Sequence, residues 1–328
     1  MKRFEDICRM TQTQVKNYMK EYLISCNYEV ISEDGFLYAK GSEPVLLVAH
    51  MDTVHKTTCQ EIVTKNNKMA SPQGIGGDDR CGIFIIMKII KSLHCSVLFC
   101  EDEESGGVGA RKFAKTEYIK NLGVNYMIEF DRKGNNDAVF YRCDNKDFEE
   151  FVTEYTGFKT ATGTFSDISV IAPESGICAV NLSSGYYNAH TKDEYVIYAE
   201  MLDTIEAAKA LIKAEVKEPF KYKAKAIVNH YGHYYQSHLS EDYYYEGFEN
   251  PYYSDYSNYD KEESLVDAKS VIERVKKDTY LELEVIAIVN NDEQILYATG
   301  VTKSDCWLNL FTSYPNLCFN KIADYSFM

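Results

Sequence analysis

SVLFCEDEESGGVGA, residues 96–110, places a five-residue apolar run, four consecutive acids and two glycines directly ahead of a longer amphipathic stretch. A short run of apolar, β-branched and aromatic residues bounded by polar turns reads as a strand buried on both faces. The following segment, GVGARKFAKTEYI (107–119), is long enough for a helix. Strand, loop and helix in that order form half of a βαβ unit. The pattern recurs outward from this point. VLLVA (45–49), NYMIEF (125–130) and GICAVNL (176–182) read as further buried strands, and DRCGIFIIMKIIKS (79–92) as a helix between two of them. Residues 197–216 carry Met201, Ile205, Ala208 and Ile212 at helical spacing, and residues 11–24 carry Val15, Met19 and Leu23. YEVISEDGFLYA reads as a hairpin turning at Asp34-Gly35. Strands alternating with helices predict an α/β fold, a three-layer domain with a mostly parallel central sheet and helices on both faces.

The layered domain is expected over 1–217. Residues 218–262 hold 11 of the 27 tyrosines among Ser, Asn, Asp and Glu, and read as a Tyr-rich acidic linker or surface segment. Residues 263–328 read as a small α+β appendage, with a helix over 263–277 and two strands, TYLELEVIAIV and QILYATGV, turning at Asn290-Asn291-Asp292. The formal net charge of −15 argues against nucleic acid or an anionic membrane surface as the main partner. No stretch reaches the ~18 apolar residues of a membrane span, and MKRFEDICRM lacks an apolar leader core. Ten cysteines without a C-x-x-C pair do not make a disulfide scaffold. Cys95, Cys100 and Cys178 sit in apolar runs and read as reduced, buried thiols, which makes a reducing cytoplasm the expected compartment.

Adjacent carboxylates repel, and a folded interior does not accept unpaired ones cheaply. Ligands of open α/β sheets, however, collect beyond the carboxyl ends of the strands. Each strand here delivers chemistry to that edge. His50 and Asp52 follow VLLVA, Glu101–Glu104 follow SVLFC, Asp131 follows NYMIEF, and His190 follows GICAVNLSSGYYNA. The Asp78-Asp79 pair opens a helix in GIGGDDRCG. Taken singly, an Asp after a strand is a helix cap or turn former, and a lone His is a satisfied side chain. Imidazoles and carboxylates converging at strand ends are together what a divalent cation requires, and its charge would offset the mutual repulsion of the acids.

LLVAHMDTV, GIGGDDRCG, EDEESGGVGA, EFD and NAHTKDEYV, in this order, resemble the clan of co-catalytic dinuclear zinc exopeptidases, which comprises the M20, M28 and M42 metallopeptidase families. The first and third blocks are most similar to the M20 members, and GDDR to M42. The resemblance covers about residues 1–216. It implies that His50 and Asp131 hold one metal, Glu104 and His190 the other, and that Asp78 bridges both. It also implies a cis peptide bond from Asp78 to Asp79, and an orienting role for Asp52 on the His50 imidazole. Glu103 would be the general base, taking a proton from the bridging water and delivering it to the leaving amine. The intervals of 28 residues between His50 and Asp78 and 59 between Asp131 and His190 leave no room for the extra domains of M42 and M20 relatives. The layout is therefore uninterrupted, as in M28.

The expected activity is that of an aminopeptidase on short peptides, with two divalent ions, Zn²⁺ or else Co²⁺ or Mn²⁺. An N-acyl amino acid deacylase or amidohydrolase on the same core, and a non-catalytic binding protein on a peptidase-like scaffold, are the alternatives. The oligomeric state is left open. Residues 218–328 would supply a wall of the site. Around it, Asp167 in GTFSDIS is read as a substrate-amine contact or, more readily, as a helix N-cap together with Ser166. His55 is expected at the surface. His230 and His233 in HYGH have a metal-compatible spacing only if helical, and read as a chance pair.

Overall fold

The structure is a computed structural model. It describes residues 2–225 apart from 66, together with 227–228, 234–235, 281–289, 292–300, 322–327 and the single positions 306, 310, 314 and 317. In chain order the elements are α1 (Lys2–Cys8), α2 (Gln12–Ser25), β1 (Val30–Glu33), β2 (Phe36–Ala39), β3 (Glu43–His50), β4 (Val63–Lys65) and β5 (Lys68–Ala70). Then come α3 (Gly77–Ile89), β6 (Cys95–Cys100), α4 (Val108–Ala114), β7 (Tyr126–Arg132), β8 (Asp137–Val139), α5 (Lys146–Thr156) and β9 (Lys159–Ala161). The domain closes with α6 (Asp167–Ser175), β10 (Ala179–Ser183), β11 (Tyr186–Tyr187), β12 (Tyr195–Ile197) and α7 (Tyr198–Lys213). Further on lie β13 (Ile227–Val228), β14 (Tyr234–Tyr235), β15 (Leu281–Val289), β16 (Asp292–Gly300) and β17 (Ile322–Phe327).

Eight strands form the central sheet in the order β1-β2-β6-β3-β7-β10-β8-β9. Its middle is parallel: β3 pairs β6 and β7, and β7 pairs β10, all in the same direction. The flanking β1–β2 hairpin turns at Asp34-Gly35, where Gly35 takes a φ of +94° that a side chain would resist. Alternation along β3 divides the core into two layers. Val45, Leu47 and Ala49 pack with residues of α1, α2, α3, α5 and α7 on one face, while Leu46 and Val48 pack with α4 and α6 on the other. Helices on both faces of a mostly parallel sheet are the expected fold class. The physical cause is the two-residue period of a strand acting on a continuous apolar run.

Helix α2 shows how the local sequence serves that plan. Its stripe Val15, Met19, Leu23 is fully buried, and each such side chain contributes about 1.5–3 kcal/mol. At its start Thr11 and Gln14 cap one another, Gln14 N–H donating to Thr11 Oγ1 at 3.3 Å and Thr11 N–H to Gln14 Oε1 at 2.9 Å. The packed chain runs on past Lys217. The Phe220 ring lies 5.1 Å from that of Phe148, and Lys221 and Ala224 bridge to Ile177 and Cys143.

Beyond the domain, β15 and β16 pair antiparallel with Val289 opposite Asp292, and β17 adds to the other edge of β15. These are the two strands expected around Asn290-Asn291. The helix expected at 263–277, most of the Tyr-rich segment, and His230 and His233 lie outside the described residues.

Candidate metal centre

The carboxyl edge of the parallel strands gathers the candidate residues. His50 ends β3, Glu103 and Glu104 follow β6, and Asp131 is the penultimate residue of β7. Asp78 opens α3, and His190 sits between β11 and β12. Asp78 stands between the two imidazoles. Its Oδ1 is 3.0 Å from His50 Nε2, and its Oδ2 is 3.1 Å from His190 Nε2. Asp131 Oδ1 lies 3.6 Å from His50 Nε2, and Glu104 Oε1 lies 3.1 Å from His190 Nε2. The Asp78–Asp79 peptide bond is cis. Potential ligand atoms of Asp78, Glu104 and His190 fall within 4.8 Å of one another, and so do those of His50, Glu103 and Glu104.

These residues fit a divalent metal. Every donor is an imidazole nitrogen or carboxylate oxygen, the set a hard-to-borderline cation prefers. Glu104 Oε1 is buried with no hydrogen bond, despite the nearby imidazole. The electrostatics carry the same mark. Burial, then the charges of Asp131, Asp167 and Glu104, push the Glu103 carboxyl up to about 9 against the opposing pull of His50. Burial and Asp78 push Asp131 up to about 7. The carboxylates of Asp78 and then Glu104 beside the ring push His190 up to about 11. Burial opposes protonation of His50, but Asp131, Asp52 and Asp78 outweigh it and raise its pKa. Glu103 and Asp131 are thus held toward their protonated forms, and positive charge placed among these acids would offset their mutual repulsion.

The run of four acids divides into two pairs. Glu101 Oε2 accepts from Lys16 Nζ at 2.5 Å and from the Gly35 N–H at 3.0 Å. Asp102 exchanges two hydrogen bonds of 3.0 Å with the Gln12 side chain. Both therefore latch α2 and the β1–β2 turn to the end of β6. Glu103 and Glu104 face the cluster.

Around them lies a shell of polar groups, of which sequence reasoning singled out Ser166, Asp167 and Asp79 but passed over Tyr186, Asn181 and Glu129. Tyr186 donates its hydroxyl to Asp131 Oδ1 at 3.2 Å. Asn181, a polar residue inside an apolar strand, accepts the Asp131 N–H at 2.9 Å and donates to the Asp131 carbonyl. Ser166 donates to Glu129, with Asp131 Oδ2 also at 3.2 Å. Ser166 occupies the N-cap of α6 in extended conformation, and Asp167 is the first helical residue, fully buried with both oxygens unpartnered. Asp79 accepts the backbone N–H of Gly82 at 2.8 Å and of His50 at 3.3 Å, and a carboxylate oxygen of Asp79 lies within 4.8 Å of potential ligand atoms of His50 and Asp131. The expectation for His55 is corrected. It is not a surface group but a largely buried one, with Nε2 2.9 Å from Glu194 Oε2. The tight turn before Asp78 draws it inward, a long-range effect that local polarity does not signal.

Fold and site together are similar to those of metallopeptidases of the dinuclear zinc exopeptidase clan. Within that clan the particular likeness is to peptidase family M28, whose family model matches residues 37–176. No protein of curated function matches the sequence. Among solved structures, aminopeptidase PepT from Bacillus cereus is 15% identical with a TM-score of 0.54, over 64% of this chain and 96% of that one. A tripeptidase from Staphylococcus aureus is 14% identical with a TM-score of 0.53, over 64% and 96%. An aminopeptidase from the archaeon Desulfurococcus kamchatkensis is 15% identical with a TM-score of 0.51, over 65% and 94%. At these identities the likeness is one of fold. Among the described residues no helix is long and apolar enough to cross a membrane.

Proposed function

We propose that this protein is a co-catalytic dinuclear aminopeptidase acting on short peptides. The observation that carries the reading is the placement of Asp78, whose two oxygens each lie beside a different imidazole. His50 and Asp131 would hold one ion, and Glu104 and His190 the other, with Asp78 common to both. Zn²⁺ suits this donor set, and Co²⁺ or Mn²⁺ would be accepted by the same ligands. Bound ions would polarise the scissile carbonyl and lower the pKa of the attacking water. Glu103 takes the proton from that water and hands it to the leaving amine. Glu103 is placed for this by the loop after β6, which sets it beside His50 and Glu104. Asp52 holds the His50 ring through Nδ1 at 3.1 Å, leaving Nε2 for the ion.

A peptide substrate is supported by the family likeness and by the names of the solved structures of like fold, an aminopeptidase and a tripeptidase among them. The excess of acids at the site suits a substrate with a protonated α-amine. A deacylase on the same core would instead take N-acyl amino acids. The two are separated by assaying a panel of aminoacyl and N-acetylaminoacyl amides alongside metal content. Turnover of the aminoacyl series with about two Zn²⁺ per chain is expected. Turnover of the acetylated series alone would install the deacylase, and bound metal with no turnover of either would leave a binding protein.

A further inference from the structure

The loop that carries His190 also carries a fully buried carboxylate with no part in the chemistry above. Glu194 lies four residues on, and both of its oxygens are engaged. Oε1 accepts the Asp78 N–H at 2.9 Å, and Oε2 accepts the Gly76 N–H at 2.8 Å with His55 Nε2 at 2.9 Å. With all of these partners in place the carboxylate cannot rotate without breaking at least one of them. One loop therefore grips Asp78 at both ends, the side chain through His190 at 3.1 Å and the backbone through Glu194.

The turn is fitted to this grip without spare room. A Cβ on Gly77 would come within 2.8 Å of Tyr186 Cβ and Val196 Cγ2, and 3.4 Å from Glu194 Oε1. A Cβ on Gly74 would fall 2.2 Å from the His55 ring. Gly74 and Gly77 are thus the complement of His55 and of Tyr186, Val196 and Glu194. The conformation they permit is held by hydrogen bonds rather than by bulk.

We propose that Glu194, braced by His55, is a positioning residue that holds the Gly76–Asp78 turn so that the Asp78 carboxylate meets both metal positions at once. The proposal rests on the dinuclear reading given above. Removing the Glu194 carboxylate leaves two buried N–H groups unpaired and frees the turn to relax away from His190. The Asp78 oxygens would then no longer be presented in a fixed direction, and ion binding would carry the cost of ordering them.

The test is Zn²⁺ affinity, measured by competition with a chromophoric chelator on the full chain, for wild type, Glu194→Ala, Glu194→Gln and His55→Phe. Far- and near-ultraviolet circular dichroism is recorded on the same samples. Glu194→Ala is expected to bind Zn²⁺ at least ~10-fold more weakly while keeping the wild-type spectra. Glu194→Gln should lose less, because its carbonyl oxygen can still accept the Asp78 N–H. His55→Phe keeps the ring volume against Gly74 and should fall between wild type and Glu194→Ala. A folded Glu194→Ala chain with wild-type affinity would overturn the proposal, even if its thermal stability fell. Should Glu194→Ala not fold, Glu194→Gln and His55→Phe decide, and wild-type affinity in both overturns it. A wild-type chain that binds no divalent ion would instead remove the functional reading, and this proposal with it.

Discussion

Asp52 Oδ1 lies 3.1 Å from His50 Nδ1 and accepts the backbone N–H of Glu103 at 3.0 Å, while Oδ2 accepts that of Glu104 at 3.0 Å. A single carboxylate, two residues beyond β3, thus fixes both the imidazole ending that strand and the loop after its neighbour β6. Burial opposes its ionisation, but the His50 ring and the two N–H groups outweigh that and hold its pKa low. Asp52→Ala should therefore disturb the His50 ring and the Glu103–Glu104 loop together. A loss of about 10- to 100-fold in Zn²⁺ affinity or in kcat/KM is expected. Wild-type values for both would remove Asp52 from the site's architecture.

Glu103→Gln keeps the shape of the loop and removes only the ability to take a proton. Metal content should stay at the wild-type level while kcat falls roughly 100- to 10,000-fold. Unchanged turnover would exclude Glu103 as the base, and a loss of metal in parallel would make it a ligand instead.

The two proposed ion positions differ in exposure. The His190 side chain is 43% exposed, whereas that of His50 is 1% exposed. Graded chelation should take the ion on the Glu104–His190 side first, and His190→Ala should retain about half of the wild-type metal content by elemental analysis. Loss of all metal on that substitution would mean that the two positions cannot be filled independently.

Metal-free protein should lose stability as pH rises through neutrality. Burial raises Asp167 to about 6, Asp131 to about 7 and Glu103 to about 9 in the folded state, and His190 is raised by Asp78 to about 11. Each folded-state value lies above the unfolded one, so each contribution is complete at low pH and is lost as pH climbs through the folded value. Asp78 and Asp52, whose values are lowered, act only in the acid range below this window. Bound cations would supply the charge that those protons otherwise provide. Melting curves with a chelator should shift to lower Tm between about pH 6 and 9, and Zn²⁺ should abolish most of that shift. A metal-free Tm that is level or rising over the range would contradict the account.

Much of the architecture was legible from local pattern. The runs VLLVA, SVLFC, NYMIEF and GICAVNL fall in four adjacent parallel strands, because continuous apolar character is what burial on both faces selects. The hairpin at Asp34-Gly35 and the stripe Val15, Met19, Leu23 follow equally local rules. His50, Asp131 and His190 were visible as donors after strands and Asp78 at the entrance to a helix, while Glu104 was picked from four acids only by the family resemblance; the structure brings all five to one edge of the sheet. Glu194 and His55 were not read as part of that edge, since neither obeys a spacing rule. Their importance comes from hydrogen bonds that span 116 and 139 residues.

By itself the sequence determined the layering of the domain and the kinds of atoms offered at its carboxyl edge, because periodicity and residue chemistry act over a few positions. Which of four successive acids would turn inward was decided only by the tertiary structure. Lys16 and Gln12, brought alongside from α2, take up Glu101 and Asp102, and the pair that remains is left to face the imidazoles. Adjacent carboxylates are chemically alike, so only the partners that folding sets beside each of them can tell them apart.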